Sequence, residues 1–271
     1  METLSFLIYP FIGCVLLILI HAYFGVHILE RGIIFVDLCM AQFIGLGIAV
    51  ALFMGHETSV DKTVYALIFA FLGASILSLT RKISRFINVE AFIGVLYIFS
   101  LAASILVLDR TPHGLEELKT ILNGNIIWVT PVELLKTFAL YSGILAFHYV
   151  FRKKFFALTY EGKNGILWEF LFFFSFALVL VSSVQMAGIL QVFSFLVIPA
   201  LMGRLYTRKP WNVLLWGWAI GIAASVFGIT LSYKLDLPTA PFIVASLSVC
   251  FFALLLIKTL TTKRLEGNEQ P

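Results

Sequence analysis

Residues 170–203 form the sequence FLFFFSFALVLVSSVQMAGILQVFSFLVIPALMG, an uninterrupted run without a charged side chain. Roughly 20 apolar residues are enough to span a bilayer. Basic residues lie beyond both ends of the run, at Lys163 and Arg204, and basic residues collect on the cytoplasmic side of membrane proteins. The run therefore leaves the cytoplasmic side and returns to it. The predicted turning point is a patch of polar and small residues: Ser182, Ser183, Gln185 and Gly188.

The returning half, from Ile189 to Gly203, has only 15 residues and contains Gln191 and Pro199. That length is short for a full crossing, which favours a broken or re-entrant helix near 188–203. Irregular backbone survives at membrane depth only where protein or a water-filled cavity surrounds it, and in transporters such places hold substrate. A proline-kinked helix explains the same residues equally well, and the sequence leaves both interpretations open.

The composition extends this interpretation to the rest of the 271 residues. Hydrophobic side chains make up 61% of the chain and charged side chains 13%, whereas soluble domains carry about 25% charged residues. Such a chain cannot cover a water-exposed surface. We therefore predict an all-α, polytopic integral membrane protein with eight to nine hydrophobic segments, in which residues 1–271 form a single transmembrane domain.

The basic residues set the orientation of the segments. Fourteen of the nineteen Lys and Arg residues fall on one side if nine segments cross, which places the C-terminus in the cytoplasm. The predicted segments lie near 3–22, 33–54, 63–80, 91–108, 133–151, 168–185, 188–203, 211–231 and 239–258. The predicted cytoplasmic residues are Arg31, Arg81, Lys82, Arg85, Arg152, Lys153, Lys154, Lys163, Arg204, Arg208, Lys209, Lys258, Lys263 and Arg264.

A further predicted feature lies on the outer side, between Asp109 and Pro131. Apolar residues recur there at helical spacing, which predicts a short amphipathic helix on the outer surface. These residues are Leu115, Leu118, Ile121 and Leu122. The stretch 123–125, Asn-Gly-Asn, ends the helix, because glycine suits the left-handed residue that follows a helix. Such a helix is either a docking platform or a solvated cap, and its periodicity does not decide between them.

The sequence lacks the common signatures of enzymes. No GxxxxGK[ST] loop is present, so the chain has no nucleotide-binding motif and no cofactor of its own. An HExxH zinc motif and a GxSxG serine elbow are also absent. Cys14, Cys39 and Cys250 lie far apart in apolar runs, which excludes a disulfide scaffold. We predict a protein that is not an enzyme and that contacts membrane lipid but no nucleic acid.

Asp37 is the clearest polar group at membrane depth. It lies six residues after Arg31, about 9 Å further along a helix at 1.5 Å per residue. A carboxylate at the centre of a spanning helix costs about 2.5–3.5 kcal/mol, so such residues usually have a task. The functional interpretation is a cation ligand that faces a pathway. The structural alternative is a pair with Arg31 or a hydrogen bond to a neighbouring helix.

Three other residues are candidate metal ligands. Met40 shares a helical face with Asp37 and offers a soft sulfur ligand, although a membrane methionine more often fills an irregular gap. His21 combines membrane depth with nearness to Asp37, and neutral imidazole is the commonest metal ligand, although a lone interfacial histidine is more often structural. Glu90 opens the fourth segment five residues after Arg85, where it is either a ligand or a group at the inner interface.

Five stretches resemble the membrane permease subunits of zinc-, manganese- and iron-type ABC importers, and together they extend over nearly the whole chain. The most specific is AGILQVFSFLVIPA (187–200), which is similar to the family signature V-G-x-L-L-v-x-a-L-L-I-I-P-A. LDLPTAP (235–241) is similar to the family's D-x-P-x-G-P. The five stretches are HAYFGVHILERGIIFVDLCMAQ (21–42), VEAFIGVLYIFSLAASILVL (89–108), LNGNIIWVTPVELL (122–135), SSVQMAGILQVFSFLVIPAL (182–201) and LDLPTAPFIV (235–244).

The resemblance implies an all-helical permease that works as a homodimer or as a close paralogous pair, with the translocation path at the subunit interface. The implied partners are a cytoplasmic ABC ATPase, which binds the ATP, and an extracytoplasmic metal-binding protein. The implied location is the bacterial cytoplasmic (inner) membrane, and the substrate is a divalent transition-metal ion such as zinc, manganese or iron. Two other classes stay open: a cation-coupled secondary carrier, and a non-transporting membrane subunit that has lost the metal site.

The chain departs from this family at two places. Asp37 falls where the family carries a G-D-x-x-x-H string, yet Ala41 stands at the histidine position. Either residues such as His21 supply other ligands, or the substrate is not zinc, which prefers N and S ligands. The loop 151–167 is shorter than the family stretch that resembles a coupling helix. The basic residues predicted to dock the ATPase are Arg152, Lys153, Lys154, Arg204 and Arg208.

Overall fold

The computed structural model describes residues 2–162 and 165–267, and the side chains of 7–162 and 165–261. The predicted cytoplasmic side chains of Lys163, Lys263 and Arg264 lie outside the described residues. The helices are α1 Glu2–Arg31, α2 Val36–Phe53, α3 Ser59–Ser78, α4 Thr80–Ile83, α5 Val89–Leu108, α6 Gly114–Asn123, α7 Pro131–Val150, α8 Arg152–Tyr160, α9 Ile166–Tyr206, α10 Pro210–Leu235 and α11 Thr239–Gly267. A short 3-10 turn at Ile126–Trp128 precedes α7.

These helices confirm the prediction of an all-α, multi-pass membrane protein. Within the described part of the chain, seven helices are long and apolar enough to cross a membrane. α7 and α8 meet at 77° and add an eighth span if they are counted as one bent helix. Local sequence signals set the helix starts. Thr130 and Glu133 form a capping box at the start of α7, and the side chains of Thr58 and Asn88 cap α3 and α5.

α9 turns back on itself at Gly188, where φ is 75° and ψ is 163°. Its two ends lie beside neighbouring residues of α1, because Glu169 pairs with Arg31 and Arg204 pairs with Glu30. An unbroken helix between Glu169 and Arg204 would be roughly 50 Å long at 1.5 Å per residue, which is incompatible with both contacts. The predicted turning point is therefore confirmed.

The second half of α9 is helical from 189 to 206, and Pro199 lies inside it. The break occurs at the glycine and not at the proline, so the broken helix is the interpretation that fits. Eighteen residues extend roughly 27 Å, which is close to the hydrocarbon thickness of a bilayer. The returning half is longer than the 15 residues counted from the sequence, because the helix continues past Gly203 to Tyr206.

Both arms of the α9 hairpin pack on α1. Phe24 of α1 contacts the rings of Phe172 and Phe176 on the first arm, with centroids 5.6 and 4.9 Å away. One residue later, Gly25 lies so close to Leu196 on the second arm that a Cβ would collide with the Leu196 carbonyl. α1 and α9 therefore form the centre of the bundle.

Basic residues from several helices meet at one end of the bundle, which we call the basic end. Arg31 and Arg81 both pair with Glu169, which joins the end of α1, α4 and the start of α9. The ammonium group of Lys258 lies 5.6 Å from the ring centroid of Tyr206, which brings α11 to the same end. The opposite end, which carries α6, is called the distal end.

Two glycines join α6 to the turn of α9 at the distal end. Gly124 has φ of 60° and lies so close to Gly188 that a Cβ on either residue would collide with the backbone of the other segment. The amide of Asn125 also donates a hydrogen bond to the carbonyl of Met186, 3.3 Å away. The end of α6 and the break in α9 therefore form one backbone contact.

The short helix predicted between Asp109 and Pro131 is confirmed as α6, with one difference on its apolar face. Ile121 is buried, as predicted, but Leu115 is 85% exposed. The reason lies at Gly114, which is packed tightly against the Leu108 carbonyl at the end of α5. This contact holds the start of α6 at the rim of the bundle and leaves Leu115 pointing away from it.

Candidate functional site

Asp37 lies in the first turn of α2, not in the middle of a long helix. α1 ends at Arg31 and α2 begins at Val36, because Gly32 takes a φ of 64° and starts a turn between them. The estimate of about 9 Å from Arg31, which assumes helical rise between the two residues, is therefore wrong. The start of a helix carries partial positive charge, and this favours a carboxylate at that position.

The Asp37 carboxylate is fully buried, and neither of its oxygens has a hydrogen-bond partner among the described residues. Arg31, its predicted structural partner, instead binds Glu169 at 2.5 Å. Both structural alternatives for Asp37 are therefore unrealised among the residues that the structure describes. A buried carboxylate without a partner is expensive, and its two oxygens are free to bind a cation.

Glu90 touches the start of the helix that carries Asp37. Its Oε1 accepts a hydrogen bond of 3.0 Å from the backbone N–H of Phe35, the residue just before α2. No side chain on α2 itself caps this end, so Glu90 supplies the cap from the start of α5. The remaining oxygen, Oε2, is buried and unpartnered within the described residues.

His21 is buried in α1 with its two ring nitrogens in different surroundings. Nδ1 lies 2.7 Å from the carbonyl of Leu17, so Nδ1 carries the proton and donates it. Nε2 then holds a lone pair, and it has no partner in the described part of the chain. Histidines that bind metals commonly donate their other N–H to a carbonyl in this way, so this tautomer is suited to a ligand.

Met40 faces α3. Its sulfur lies against Gly73, where an added Cβ would be 3.1 Å from Sδ. Met40 shares a helical face with Asp37, as expected, but in this position it fills a gap between two helices. This contact favours the gap-filling interpretation over the ligand interpretation.

The four candidates do not form one cluster. Across residues 2–162 and 165–267, no group of three or more His, Cys, Asp and Glu side chains is placed to hold a metal ion. Asp37 and Glu90 lie near the start of α2, whereas His21 is separate on α1. A single chain therefore offers isolated ligands and not a closed cage.

Sequence reasoning did not select two buried polar residues of α9 as functional candidates. Glu169 borders the apolar run and is only 3% exposed, between Arg31 and Arg81. Gln191 lies three residues after the break, is fully buried, and has an Oε1 without a partner among the described residues. Gln191 could have been selected from the sequence, because it is a polar residue close to the predicted break.

The predicted docking residues lie at the basic end, and most of them are on α8. Arg152, Lys153 and Lys154 are exposed, whereas Phe155 and Leu158 are buried. The short loop 151–167 therefore still holds an amphipathic helix, set across the end of α7. Two contacts hold the buried side of α8 against the bundle. The rings of His148 and Phe155 stack with centroids 4.0 Å apart, and His27 and Thr159 share a hydrogen bond of 2.8 Å.

The two docking candidates beyond α8 differ from each other. Arg204 already pairs with Glu30, so its charge is partly compensated within the chain. Arg208 is exposed beside the start of α10. The two arginines, with Glu30, Phe156 and Tyr160, line an open hollow of about 570 Å³ at the basic end.

Comparison with known proteins places these features in a family. A probable metal transport system membrane protein of Chlamydia trachomatis is 27% identical over 62% of this chain, which spans only 60% of that relative. The manganese import system permease protein ScaB of Streptococcus parasanguinis is 22% identical over 84% of this chain and 81% of its own length. The solved structure of PsaBC from Streptococcus pneumoniae, in complex with Fab, has a similar fold. It gives a TM-score of 0.74 at 21% identity over 92% of this chain and 90% of that one. The family model described as the ABC 3 transport family matches residues 3–258, and the chain therefore belongs to the ABC 3 transport family.

Proposed function

We propose that this chain is the membrane-spanning permease subunit of an ATP-driven importer of divalent transition-metal ions. In this proposal a second copy, or a close paralogue, completes the translocation path, and a separate cytoplasmic ATPase supplies the energy. An extracytoplasmic metal-binding protein delivers the ion at the distal end, and the basic end is cytoplasmic. The bacterial inner membrane is the proposed location, with the C-terminus inside.

The observation that carries the proposal is the buried carboxylate of Asp37, which has no partner in the described part of a chain of this family. Within membranes, ionisable groups mark ion pathways by default. Nε2 of His21, which has no partner among the described side chains, is a second possible ligand in the same bundle. Few ligands per chain suit transport, because an ion that crosses has to leave each site as well as enter it.

Manganese is a better-supported substrate than zinc. Carboxylate and carbonyl oxygens suit Mn²⁺, whereas zinc prefers nitrogen and sulfur ligands. Ala41 stands where a histidine would have provided nitrogen beside Asp37. The name of the relative ScaB, a manganese import permease, points in the same direction.

Replacing Asp37 with asparagine is expected to lower manganese uptake by at least about tenfold, because the amide keeps the shape of the side chain and loses its charge. Uptake of radioactive Mn²⁺ is measured in cells that express the chain with its partner subunits. Asp109→Asn is the matched control, since Asp109 is exposed at the end of α5. Normal uptake kinetics in Asp37→Asn, at equal membrane abundance, would remove Asp37 from the pathway.

Reconstitution separates this proposal from its two rivals. Liposomes with the chain alone should not accumulate metal, and liposomes with the chain, the ATPase, ATP and the metal-binding protein should. Accumulation by the lone chain would favour the cation-coupled carrier. No accumulation by the assembled complex would favour a non-transporting subunit.

Reversing one charge on α8 is expected to weaken docking of the ATPase. Lys153→Glu places a carboxylate on the exposed side of α8 and should reduce the ATPase that copurifies with the chain, most clearly at low salt, where charge pairs are least screened. Lys136→Glu is the control, because Lys136 is exposed near the opposite end of α7. Equal ATPase recovery with both variants would rule out docking through α8.

A further inference from the structure

A series of buried hydrogen bonds lies directly behind α8 and joins three spanning helices. The hydroxyl of Tyr23 on α1 is 2.9 Å from Nδ1 of His148 on α7. Nε2 of His148 is 2.8 Å from the hydroxyl of Ser175 on α9, and that hydroxyl donates to the carbonyl of Phe172 at 2.9 Å. We call Tyr23, His148 and Ser175 the polar bridge.

The protons of the polar bridge have one consistent arrangement. Ser175 gives its single hydroxyl proton to the Phe172 carbonyl, so Nε2 of His148 donates to the Ser175 oxygen. In a neutral imidazole the other nitrogen, Nδ1, then accepts the proton of Tyr23. Each bond therefore has one donor and one acceptor, and both ring nitrogens of the buried His148 are satisfied.

The imidazole of the polar bridge is also the surface against which α8 packs. The rings of His148 and Phe155 are parallel to within 4°, with centroids 4.0 Å apart. Phe155 is buried, and it directly follows the exposed residues Lys153 and Lys154 of α8. Because α8 crosses the end of α7 at 77°, a displacement of α8 toward the bundle presses on His148.

A second contact bonds α8 directly to α1. Nδ1 of His27 lies 2.8 Å from the hydroxyl of Thr159 on α8. His27 follows Tyr23 by one helical turn, and the centroids of their rings are 4.9 Å apart. The helix α1 is therefore held to α8 at two adjacent levels, through His27 and through the polar bridge.

The helix α1 connects the polar bridge to the proposed pathway. Phe24 and Gly25, which follow Tyr23, pack on the two arms of the α9 hairpin. His21 lies two residues before Tyr23 on the same helix, and the turn at the end of α1 leads into the helix of Asp37. Rigid helices carry displacements between distant places, so a movement imposed at Tyr23 reaches the helices of both candidate metal ligands.

Directional bonds distinguish the polar bridge from the aromatic packing around it. The rings of Phe24, Phe147 and Phe172 surround His148. Apolar packing is non-directional, so such rings tolerate sliding past one another. A hydrogen bond weakens steeply when its angle changes, and a buried polar group that loses its partner is costly. The polar bridge therefore holds α1, α7 and α9 in one register.

We propose that Tyr23, His148 and Ser175 are positioning residues that transmit the movement of α8 to α1 and α9, and that this transmission couples ATP hydrolysis by the docked ATPase to passage of the metal ion. Without the polar bridge the ATPase stays docked and active, but α8 moves without α1. This inference rests on the proposed function, because it assumes a docked ATPase and a transported ion.

The test measures Mn²⁺ transported and phosphate released in the same liposomes, which hold the chain, the ATPase, ATP and the metal-binding protein. Tyr23→Phe keeps the ring and removes the hydroxyl. We expect the Mn²⁺ transported per ATP to fall at least about threefold, the scale of one lost hydrogen bond, with unchanged ATPase recovery and hydrolysis rate. His148→Phe keeps a ring against Phe155 and loses both bonds, so its ratio should fall at least about tenfold.

Tyr141→Phe is the matched control. The hydroxyl of Tyr141 on α7 is 2.7 Å from that of Ser183 on α9, so this variant also loses a buried hydrogen bond between spanning helices. Tyr141 lies seven residues before His148, about two turns further from α8, and the ratio should match that of the original chain. Thermal unfolding of each variant is measured as well, because a purely structural bridge would lower the midpoint and leave the ratio unchanged.

An unchanged ratio in Tyr23→Phe would overturn the inference, and so would an equal fall in Tyr141→Phe. Loss of the ATPase from the Tyr23→Phe complex would also overturn it, because the polar bridge would then hold α8 in place and not transmit its movement. These results leave the proposed function intact, since the original complex still transports Mn²⁺. Failure of the original complex to accumulate Mn²⁺ would remove the proposed function, and this inference with it.

Discussion

Gly188→Ala is expected to lower the free energy of unfolding by about 1–3 kcal/mol through backbone strain alone. The φ of 75° and ψ of 163° at this residue belong to a region that is essentially reserved for glycine. The added Cβ would also collide with the backbone at Gly124. Thermal unfolding of the purified chain in detergent should show a clearly lower midpoint, together with weaker membrane accumulation.

The matched control is Gly143→Ala on α7. Nothing lies within 4 Å of the position that its Cβ would take, and alanine in a helix interior is favoured over glycine by roughly 0.5–1 kcal/mol. Gly143→Ala should therefore be as stable as the original chain or slightly more stable. Equal midpoints for Gly188→Ala and the original chain would mean that the turn of α9 is not held by this glycine.

The other large effect is expected from Glu169→Gln. Glu169 is 3% exposed and pairs with Arg31 at 2.5 Å and with Arg81 at 3.3 Å. Removing one partner of a buried ion pair costs about 3–5 kcal/mol, because the remaining charge stays buried. We expect about 3 kcal/mol here, the lower end of that range, since Arg81 is 41% exposed and reaches solvent.

Thermal unfolding in detergent measures this loss, and Glu57→Gln is its control. Glu57 is exposed in the connection between α2 and α3, where a substitution should change stability by less than about 0.5 kcal/mol. A Glu169→Gln protein that unfolds at the same temperature as the Glu57→Gln protein would contradict a stabilising role for the cluster of Arg31, Arg81 and Glu169.

The hairpin of α9 was predictable because two independent signals agree. Basic residues beyond both ends of 170–203 require a return, and the patch that includes Gly188 is the only place in that run with several polar or small residues together. The contact between Gly188 and Gly124 was not predictable, since residues 64 positions apart in sequence carry no local sign of their contact.

The helical spacing assumed between Arg31 and Asp37 was wrong, although a signal for the intervening turn was present. Arg31 followed by Gly32 is a common way to end a helix, with a basic residue in the last turn and glycine after it. The residues that follow Gly32 are apolar whether they form a helix or a buried turn. Hydropathy alone therefore did not reveal that the helix ends here. Asp37 does not pair with Arg31 because Arg31 pairs with Glu169. Arg31 and Glu169 are 138 residues apart, so no local pattern predicts their contact.

The docking residues also divide into a part that the sequence predicts and a part that it does not. The amphipathic nature of α8 follows from its sequence, in which exposed Lys153 and Lys154 precede buried Phe155 and Leu158. The pairing of Arg204 with Glu30 depends on how α9 returns to α1. Charge patterns therefore predict on which side of the membrane a residue lies, and tertiary packing decides which charges stay available.

The ion pair between Glu30 and Arg204, which joins the end of α9 to α1, has a consequence for biosynthesis. Glu30 leaves the ribosome 174 residues before its partner Arg204, which at about 5–20 residues per second corresponds to roughly ten to thirty seconds. During that interval Glu30 lacks the counter-charge that it has in the folded chain. Nascent chains truncated before position 204 should therefore be preferred targets of membrane quality-control proteases.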